Sequence, residues 1–510
     1  MKKQFKIFLP IPSVKTLSLG GGGARGAVYA PVLGYLEETD VLSGIECVYG
    51  VSAGAITSLL ISYGATAEEI NELTQTDFRS LLTDWSIFRG GKGIYYTTQL
   101  KHMIEENGKR FFLKRLMEAK EICQTNKNEG LLKQIMMLET HQDKITFEDL
   151  EKLKNVFNEL GFLNKVKSLS VLAVSLADGK PHLFSYSTHK DIRIVDAVAA
   201  SCAIPPVFKP HYINIGGQEV AFVDGGMYRS LLTPTHQTAF ATDLEKRLDS
   251  LLLLLLPEDE ANMHTYGPGK PLNFIMAFIG YLIKIFFGAN GVSGRYEMQK
   301  SVKEYGPNVV SMNVDIKPND FGVSTDRKKA AGEKAVESIK NYFALRRDSD
   351  SGYLLEGSFI FCLYQVPLHQ FQIAKEELVK QLDAESEEEK NFFISMAQKI
   401  SDHRTMQKQW EEQISEEIKI TIQLLKQNPA EAESAGLNRL NNLLENYCTL
   451  PFEMQDQQIF DINRERLLNG TQYQLKELFS LLETQQISLP TGGLLEDLLH
   501  NSQIQSLSMG

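Results

Sequence analysis

Two glycine-framed turns, Gly20-Gly21-Gly22-Gly23-Ala24-Arg25-Gly26 and Gly50-Val51-Ser52-Ala53-Gly54, lie about one βαβ unit apart near the start of this 510-residue chain. Each follows a short run suited to a buried strand, Val14 to Leu19 and Gly44 to Tyr49. Each leads into helical apolar periodicity, Arg25 to Glu38 and Gly54 to Tyr63. Strand, loop, helix, strand, turn, helix predicts a parallel α/β sheet. The spacing also puts a loop of bare backbone N–H groups beside a turn that lifts one serine out of the sheet.

The rest of the chain extends this pattern. Residues 68–165 read as a charged, helix-rich insertion or outer layer. The sheet resumes at Ser168–Ser175, with a hairpin partner from Pro181 to Ser187, a helix from Ile194 to Cys202, and a strand from Glu219 to Val223 that delivers Asp224-Gly225-Gly226. Six leucines, Leu251–Leu256, fit a buried strand rather than a membrane span. Pro271 to Gly288 is apolar nearly all round. It fits a core helix, or a lid or membrane-contacting helix, and is slightly short for a span. Beyond a linker at 346–352 the pattern is helical, with Trp410, Ile414, Ile418, Ile422 and Leu425 on one face. The expected domains are 1–350 and a helical 351–510.

Charge separates these parts. Residues 350–510 carry 25 acidic and 12 basic side chains, a balance of −13 against −11 for the whole chain. The N-terminal part is thus free to approach an anionic surface, while the whole is a poor nucleic-acid binder. The five cysteines are scattered without ligand spacing, which argues against a disulfide framework or structural zinc site, and no metal or cofactor is expected. The apolar run after Met1 stops at Pro10-Ile11-Pro12, too short for a Sec signal, so synthesis in the cytoplasm is expected.

A serine hydroxyl becomes a useful nucleophile only when it is exposed, given a base and paired with donors for the oxyanion. Gly50 and Gly54 permit the tight turn that projects Ser52 above a helix N-terminus, and Gly21, Gly22 and Gly23 are the candidate oxyanion donors. Arg25 and Gly26 close the loop, where Arg25 can steady it or meet a phosphate, or simply form a surface ion pair. Gly21, Gly23 and Gly26 also satisfy a dinucleotide fingerprint. That reading needs an acidic residue at the end of the next strand, which here runs into the serine turn. A P-loop would need a following Gly-Lys-Ser/Thr. His189, His211 and His236 are not framed as bases, and a Ser–His–Asp triad would need a late-sheet histidine. Asp224 is framed by Gly225 and Gly226, and desolvation there would raise its pKa into a basic range.

The glycine loop, the Ser52 turn, Ala200-Ser201-Cys202-Ala203-Ile204-Pro205-Pro206-Val207-Phe208 and Asp224-Gly225-Gly226 occur in an order that resembles the patatin-like phospholipase family. Thr146-Phe147-Glu148-Asp149-Leu150 and Phe321-Gly322-Val323-Ser324-Thr325 add to the likeness, which covers roughly residues 14–345. The resemblance implies a three-layer α/β/α fold with a mostly parallel sheet, and a metal-free lipid acyl hydrolase acting on membrane phospholipid. Ser52 is then the nucleophile and Asp224 the dyad base. Pro31 stands where the family usually has glycine, and Met227–Pro234 lacks the asparagine often seen before that proline. Bacterial toxins and secreted effectors similar to this family append a helical domain for membrane targeting or activation by a host protein. The likeness implies such a partner for residues 351–510, and action at membranes after secretion. The alternatives are a domain that packs for stability, and an interaction protein with a latent hydrolase fold.

Overall fold

The computed structural model describes residues 4–9, 14–74, 95–233 except 206, 242, 245, 249–257, 308–347 except 319 and 321, and 353–499 apart from 367, 383–386, 430–434, 450–456, 488 and 490–492. Ten strands follow in chain order: β1 (Phe5–Leu9), β2 (Thr16–Leu19), β3 (Cys47–Gly50), β4 (Ser168–Ser175), β5 (Pro181–Ser185), β6 (His211–Ile215), β7 (Gln218–Asp224), β8 (Ser250–Pro257), β9 (Val309–Val314) and β10 (Tyr353–Gly357). Eight of them build one mixed sheet in the order β6-β7-β4-β3-β2-β8-β9, with β5 antiparallel to β4. The run β4-β3-β2-β8-β9 is parallel throughout, and the β6-β7 hairpin joins β4 antiparallel.

The leucine run is β8, buried between parallel neighbours. Leu251, Leu253 and Leu255 enter the main core on one face, while Leu252 and Leu254 pack with Leu231 on the other. A strand covered on both faces has no reason to alternate with polar residues. The helices Thr98–Thr125, Glu129–Glu139 and Phe147–Glu159 contribute Phe112, Leu116, Ile135 and Phe157 to that main core. Residues 98–159 are therefore a layer on the sheet rather than a detached insertion. The expected helix from Arg25 begins differently. A 3-10 turn, Gly23–Val28, comes first, closed by Arg25 N–H to the Gly22 carbonyl at 3.2 Å, and the α-helix is Tyr29–Glu38. Pro31 falls in the first turn of that helix, where no N–H is required. Its ring fills the space that a Cβ on Gly332 would need, 2.7 Å away. The apolar stretch from Pro271 to Gly288 lies outside the described residues. Among the described residues no helix is long and apolar enough to cross a membrane.

The chain divides into two compact units, and their membership differs from the linear boundary expected at 350. One comprises Ser13–His236 and Asp249–Leu345; the other comprises Met1–Pro12, Gln237–Leu248 and Arg346–Gly510. Two long-range contacts within the second unit explain the difference. Strand β1 pairs with β10, Phe5 opposite Gly357. Glu245 is clamped by two arginines of the helical part: Arg466 Nε donates to Oε2 at 2.9 Å and Nη2 to Oε1 at 3.0 Å, and Arg404 Nη2 reaches Oε1 at 3.0 Å. All three side chains are buried. Burial pushes the Glu245 pKa up, but Arg466 and then Arg404 outweigh it and the net shift is downward. Around this knot the helices Glu387–Gln427, Leu437–Cys448 and Gln457–Gln485 share a core. Ile414, Ile418, Ile422 and Leu425 lie inside it, and Trp410 packs against it half-buried.

Removing one member of a buried ion cluster strands the others in a dry interior. Glu245→Ala should therefore destabilise the second unit by roughly 3–5 kcal/mol in denaturant unfolding, and an all-apolar replacement of Glu245, Arg404 and Arg466 should recover most of that loss.

Candidate active site

Strand register brings the predicted residues together. Gly50, two residues before Ser52, lies opposite Val171 on β4, and Ala173, two residues further along β4, pairs with Asp224 on β7. Gly50 packs against Ala55 and Gly26 against Ala53. A Cβ at Gly54 would sit 2.1 Å from the Leu19 carbonyl oxygen, so the helix after Ser52 starts in direct backbone contact with the end of β2. Gly225 is equally constrained, its Cβ position being 2.3 Å from the Leu172 oxygen. These close approaches are the physical content of the two glycine motifs.

Ser52 is buried and adopts φ 53° and ψ −123°, a left-handed conformation that is rare for a residue with a side chain. The helix Ala53–Ser62 follows directly. Asp224 caps the 3-10 turn Gly225–Met227, and its Oδ1 accepts the Gly226 N–H at 2.6 Å. Burial raises the Asp224 pKa to about 7, against smaller lowering effects from the Ser52 hydroxyl and the Gly226 N–H. The Ser52 hydroxyl is near enough to act on the carboxylate, whose Oδ2 is buried and has no other partner among the described residues.

The glycine loop is occupied differently from the sequence expectation. Gly21, expected as an oxyanion donor, gives its N–H to the Ser230 carbonyl at 2.7 Å. Gly22 and Gly23 have N–H groups with no hydrogen-bond partner among the described residues. The segment after Asp224 is held by Gly21 N–H on Ser230 and by Ser18 Oγ on the Leu232 carbonyl at 2.5 Å. Tyr29 Oη steadies the loop through the Gly20 carbonyl at 2.5 Å. Arg25 donates from Nε to the Ile316 carbonyl at 2.9 Å, and burial lowers its pKa. It is not in a surface ion pair among the described residues.

The histidines are engaged elsewhere. His211 lies between Asp196 (3.1 Å) and Thr97 (3.2 Å), and His189 approaches the Leu183 carbonyl at 3.1 Å. His236 lies outside the described residues. What sequence reasoning missed is the cavity. A space of about 150 Å³ opens at Ser52 and Gly23 and is lined almost wholly by apolar groups. Ile56 and Leu60 face it from the Ser52 helix, Ile70 and Leu73 from Ala67–Thr74, and Leu100 and Ile104 from Thr98–Thr125. Those residues sit at i, i+3 or i, i+4 on their helices, a pattern that sequence alone cannot separate from ordinary core.

With this geometry in view, the comparisons are specific. Residues 17–238 match the family model described as patatin-like phospholipase. They form a patatin-like domain. Among curated proteins, the chain is 26% identical over 232 residues to a cGAMP-activated phospholipase of Escherichia coli (strain TW11681), covering 42% of this chain and 52% of that one. It is 28% identical over 265 residues to the probable lipid hydrolase 463L of Invertebrate iridescent virus 6, covering 51% and 77%. The chain thus spans about half the length of the first of these relatives. Among solved structures it resembles a chain of the ExoU–SpcU complex from the type III secretion system of Pseudomonas aeruginosa, with a TM-score of 0.52 at 16% identity over 99% of this chain and 78% of that one. At that identity the likeness concerns the fold, the helical C-terminal region included.

The patatin-like domain carries a buried carboxyl that prefers to be neutral. Its folded-state pKa of about 7 exceeds the unfolded value, so its contribution to stability is present at low pH and is lost as pH rises from about 4 to about 7. Asp224→Asn mimics the neutral form. It should melt near the wild type at pH ~4 and above it at pH ~8.5 in a calorimetric series.

Proposed function

We propose that this protein is a serine acyl hydrolase of the phospholipase A or lysophospholipase type, cleaving fatty acyl esters of membrane phospholipid. One juxtaposition carries the proposal: a strained serine that lines an apolar cavity stands beside a desolvated aspartate and glycine N–H groups that are unengaged among the described residues. In this reading the Ser52 oxygen attacks the ester carbonyl carbon while Asp224 takes the hydroxyl proton. Gly22 and Gly23 donate to the oxyanion, replacing the Gly21–Gly23 set expected from sequence. Collapse expels the alcohol, which receives the proton from Asp224. Asp224 then deprotonates a water that attacks the acyl-Ser52 ester, and the fatty acid leaves with the serine hydroxyl restored. The acyl chain occupies the cavity, and Arg25 offers its charge to the phosphate.

The helical unit is proposed to serve membrane targeting or activation, as in a secreted effector. Its acidity favours a protein partner over direct binding to anionic lipid, and the fold likeness to ExoU includes it. The relatives named for cGAMP activation make a cyclic dinucleotide the other activator to test. A latent fold with no hydrolysis is the second reading.

Purified protein on phosphatidylcholine vesicles, alone and with cell extract or cGAMP, separates these. Fatty acid release and fluorophosphonate labelling at Ser52 support the proposal, while release that persists in Ser52→Ala defeats it. Asp224→Asn should lower kcat on the order of 10³-fold or more. Because the carboxylate is the active form, kcat/KM should rise with pH to a plateau, with half-maximum near 7.

Leu60 lies eight residues along the helix from Ser52, about 12 Å at 1.5 Å per residue. Leu60→Phe should shift preference toward shorter acyl chains by about tenfold in kcat/KM, read from a chain-length series of esters.

A further inference from the structure

The conformation of Ser52 is costly and needs something to hold it. A non-glycine residue at φ 53° persists only where its surroundings over-determine it. The helix Ala53–Ser62 accounts for part of this, since Ala55 and Ile56 donate to the Ser52 carbonyl at 2.8 and 3.3 Å. On the other side of Ser52, Gly54 of the same helix donates to the Val51 carbonyl at 2.9 Å, which leaves the Ser52 N–H of that peptide to be met from elsewhere.

That peptide is met by a different segment. Ser201, the last residue of the helix Ile194–Ser201, is fully buried, and its Oγ accepts the Ser52 N–H at 3.0 Å. The next residue, Cys202, directs its thiol at the Ser52 carbonyl with Sγ 3.2 Å away. The residue after that, Ala203, accepts the Asp224 N–H on its carbonyl at 3.0 Å. Three consecutive residues therefore grip both peptide groups of Ser52 and the amide of Asp224. All five are buried. Burial keeps the Cys202 thiol protonated, with the Asp224 charge adding to the effect, so it remains a donor.

We propose that Ser201-Cys202-Ala203 is a positioning clamp that sets the register of the Ser52 hydroxyl against the Asp224 carboxylate. The proposal rests on the hydrolase reading for its kinetic consequence but not for its structural one. The hydrogen-bonding function is specific: position 201 must accept from an amide, and position 202 must donate to a carbonyl. Cys202 also lines the cavity proposed for the acyl chain, whereas Ser201 is not among the residues that line it. They act through the backbone of the nucleophile and the base.

The test uses full-length protein with Ser201→Ala, Cys202→Ala and Cys202→Ser, each checked for native circular dichroism. Amide hydrogen exchange of the peptide containing Ser52 should accelerate in Ser201→Ala and stay slow in Cys202→Ser, with the body of the Ala53–Ser62 helix unchanged. Protection of the Ser52 amide that survives Ser201→Ala overturns the clamp, whether or not the protein hydrolyses lipid. In the active protein Ser201→Ala should lower kcat and the fluorophosphonate labelling rate by about 10- to 100-fold with KM nearly constant, as expected when reacting groups are misplaced. Cys202→Ala should lose rate and Cys202→Ser should restore most of it. Unchanged kcat in folded Ser201→Ala, or a loss confined to KM, overturns the kinetic role. A wild type with a protected Ser52 amide but no hydrolysis and no labelling sinks the hydrolase reading while leaving the clamp in place.

Discussion

The site depends on backbone meeting backbone at one end of the central strands. The helix that follows Ser52 begins where a single added carbon would strike the Leu19 carbonyl, and the turn after Asp224 begins where one would strike the Leu172 carbonyl. Such contacts fix distances more tightly than side-chain packing, because neither partner has a rotamer to change. Strands β2, β3, β4 and β7 then act as a ruler. Their register brings the ends of β3 and β7, after which Ser52 follows and at which Asp224 stands, to the same end of the sheet, and the Gly21 bond to Ser230 locks the loop over β2 to the loop after β7. The chemistry proposed for the pair is a consequence of this geometry.

Burial gives Asp224 its reactivity and also opposes the fold. A carboxylate with one satisfied oxygen in a dry site is held near neutral pH by desolvation, which suits a base working at that pH. The same desolvation makes the charged form destabilising. The strained Ser52 peptide adds to that cost, and the large apolar core around β8 and its neighbours offsets it.

The glycine motifs, the serine turn and Asp224 were legible in sequence because each marks a place where only certain residues fit. The leucine run and the Ile414–Leu425 stripe were legible because periodicity reports burial directly. The donor set was not. Gly21 looks identical to Gly22 and Gly23 in sequence, and its N–H is withdrawn only because the Ser230 carbonyl arrives from 209 positions away. The cavity was hidden for a related reason: Leu60, Leu100 and Ile104 have the spacing of core residues, and nothing local records that a space was left between their helices. The contacts of Ser201 and Cys202 with Ser52 were hidden as well, since a hydrogen bond across 149 or 150 positions has no local signature.

The same limit governs the helical unit, where it changes how the chain can be divided. A linear boundary near 350 would place Phe5–Leu9 and Glu245 with the patatin-like domain, yet β1 is a partner of β10 and Glu245 is the counter-ion of Arg404 and Arg466. A truncation after residue 345 would leave a strand without its neighbour and a carboxylate without its guanidinium groups. The reciprocal fragment would bury two arginines with no counter-charge. Loss of activity in either fragment would therefore report a broken fold as readily as a lost regulator. Questions about activation are better put to the intact chain with substitutions on exposed helix faces, where the acidic residues lie and where burial carries no penalty.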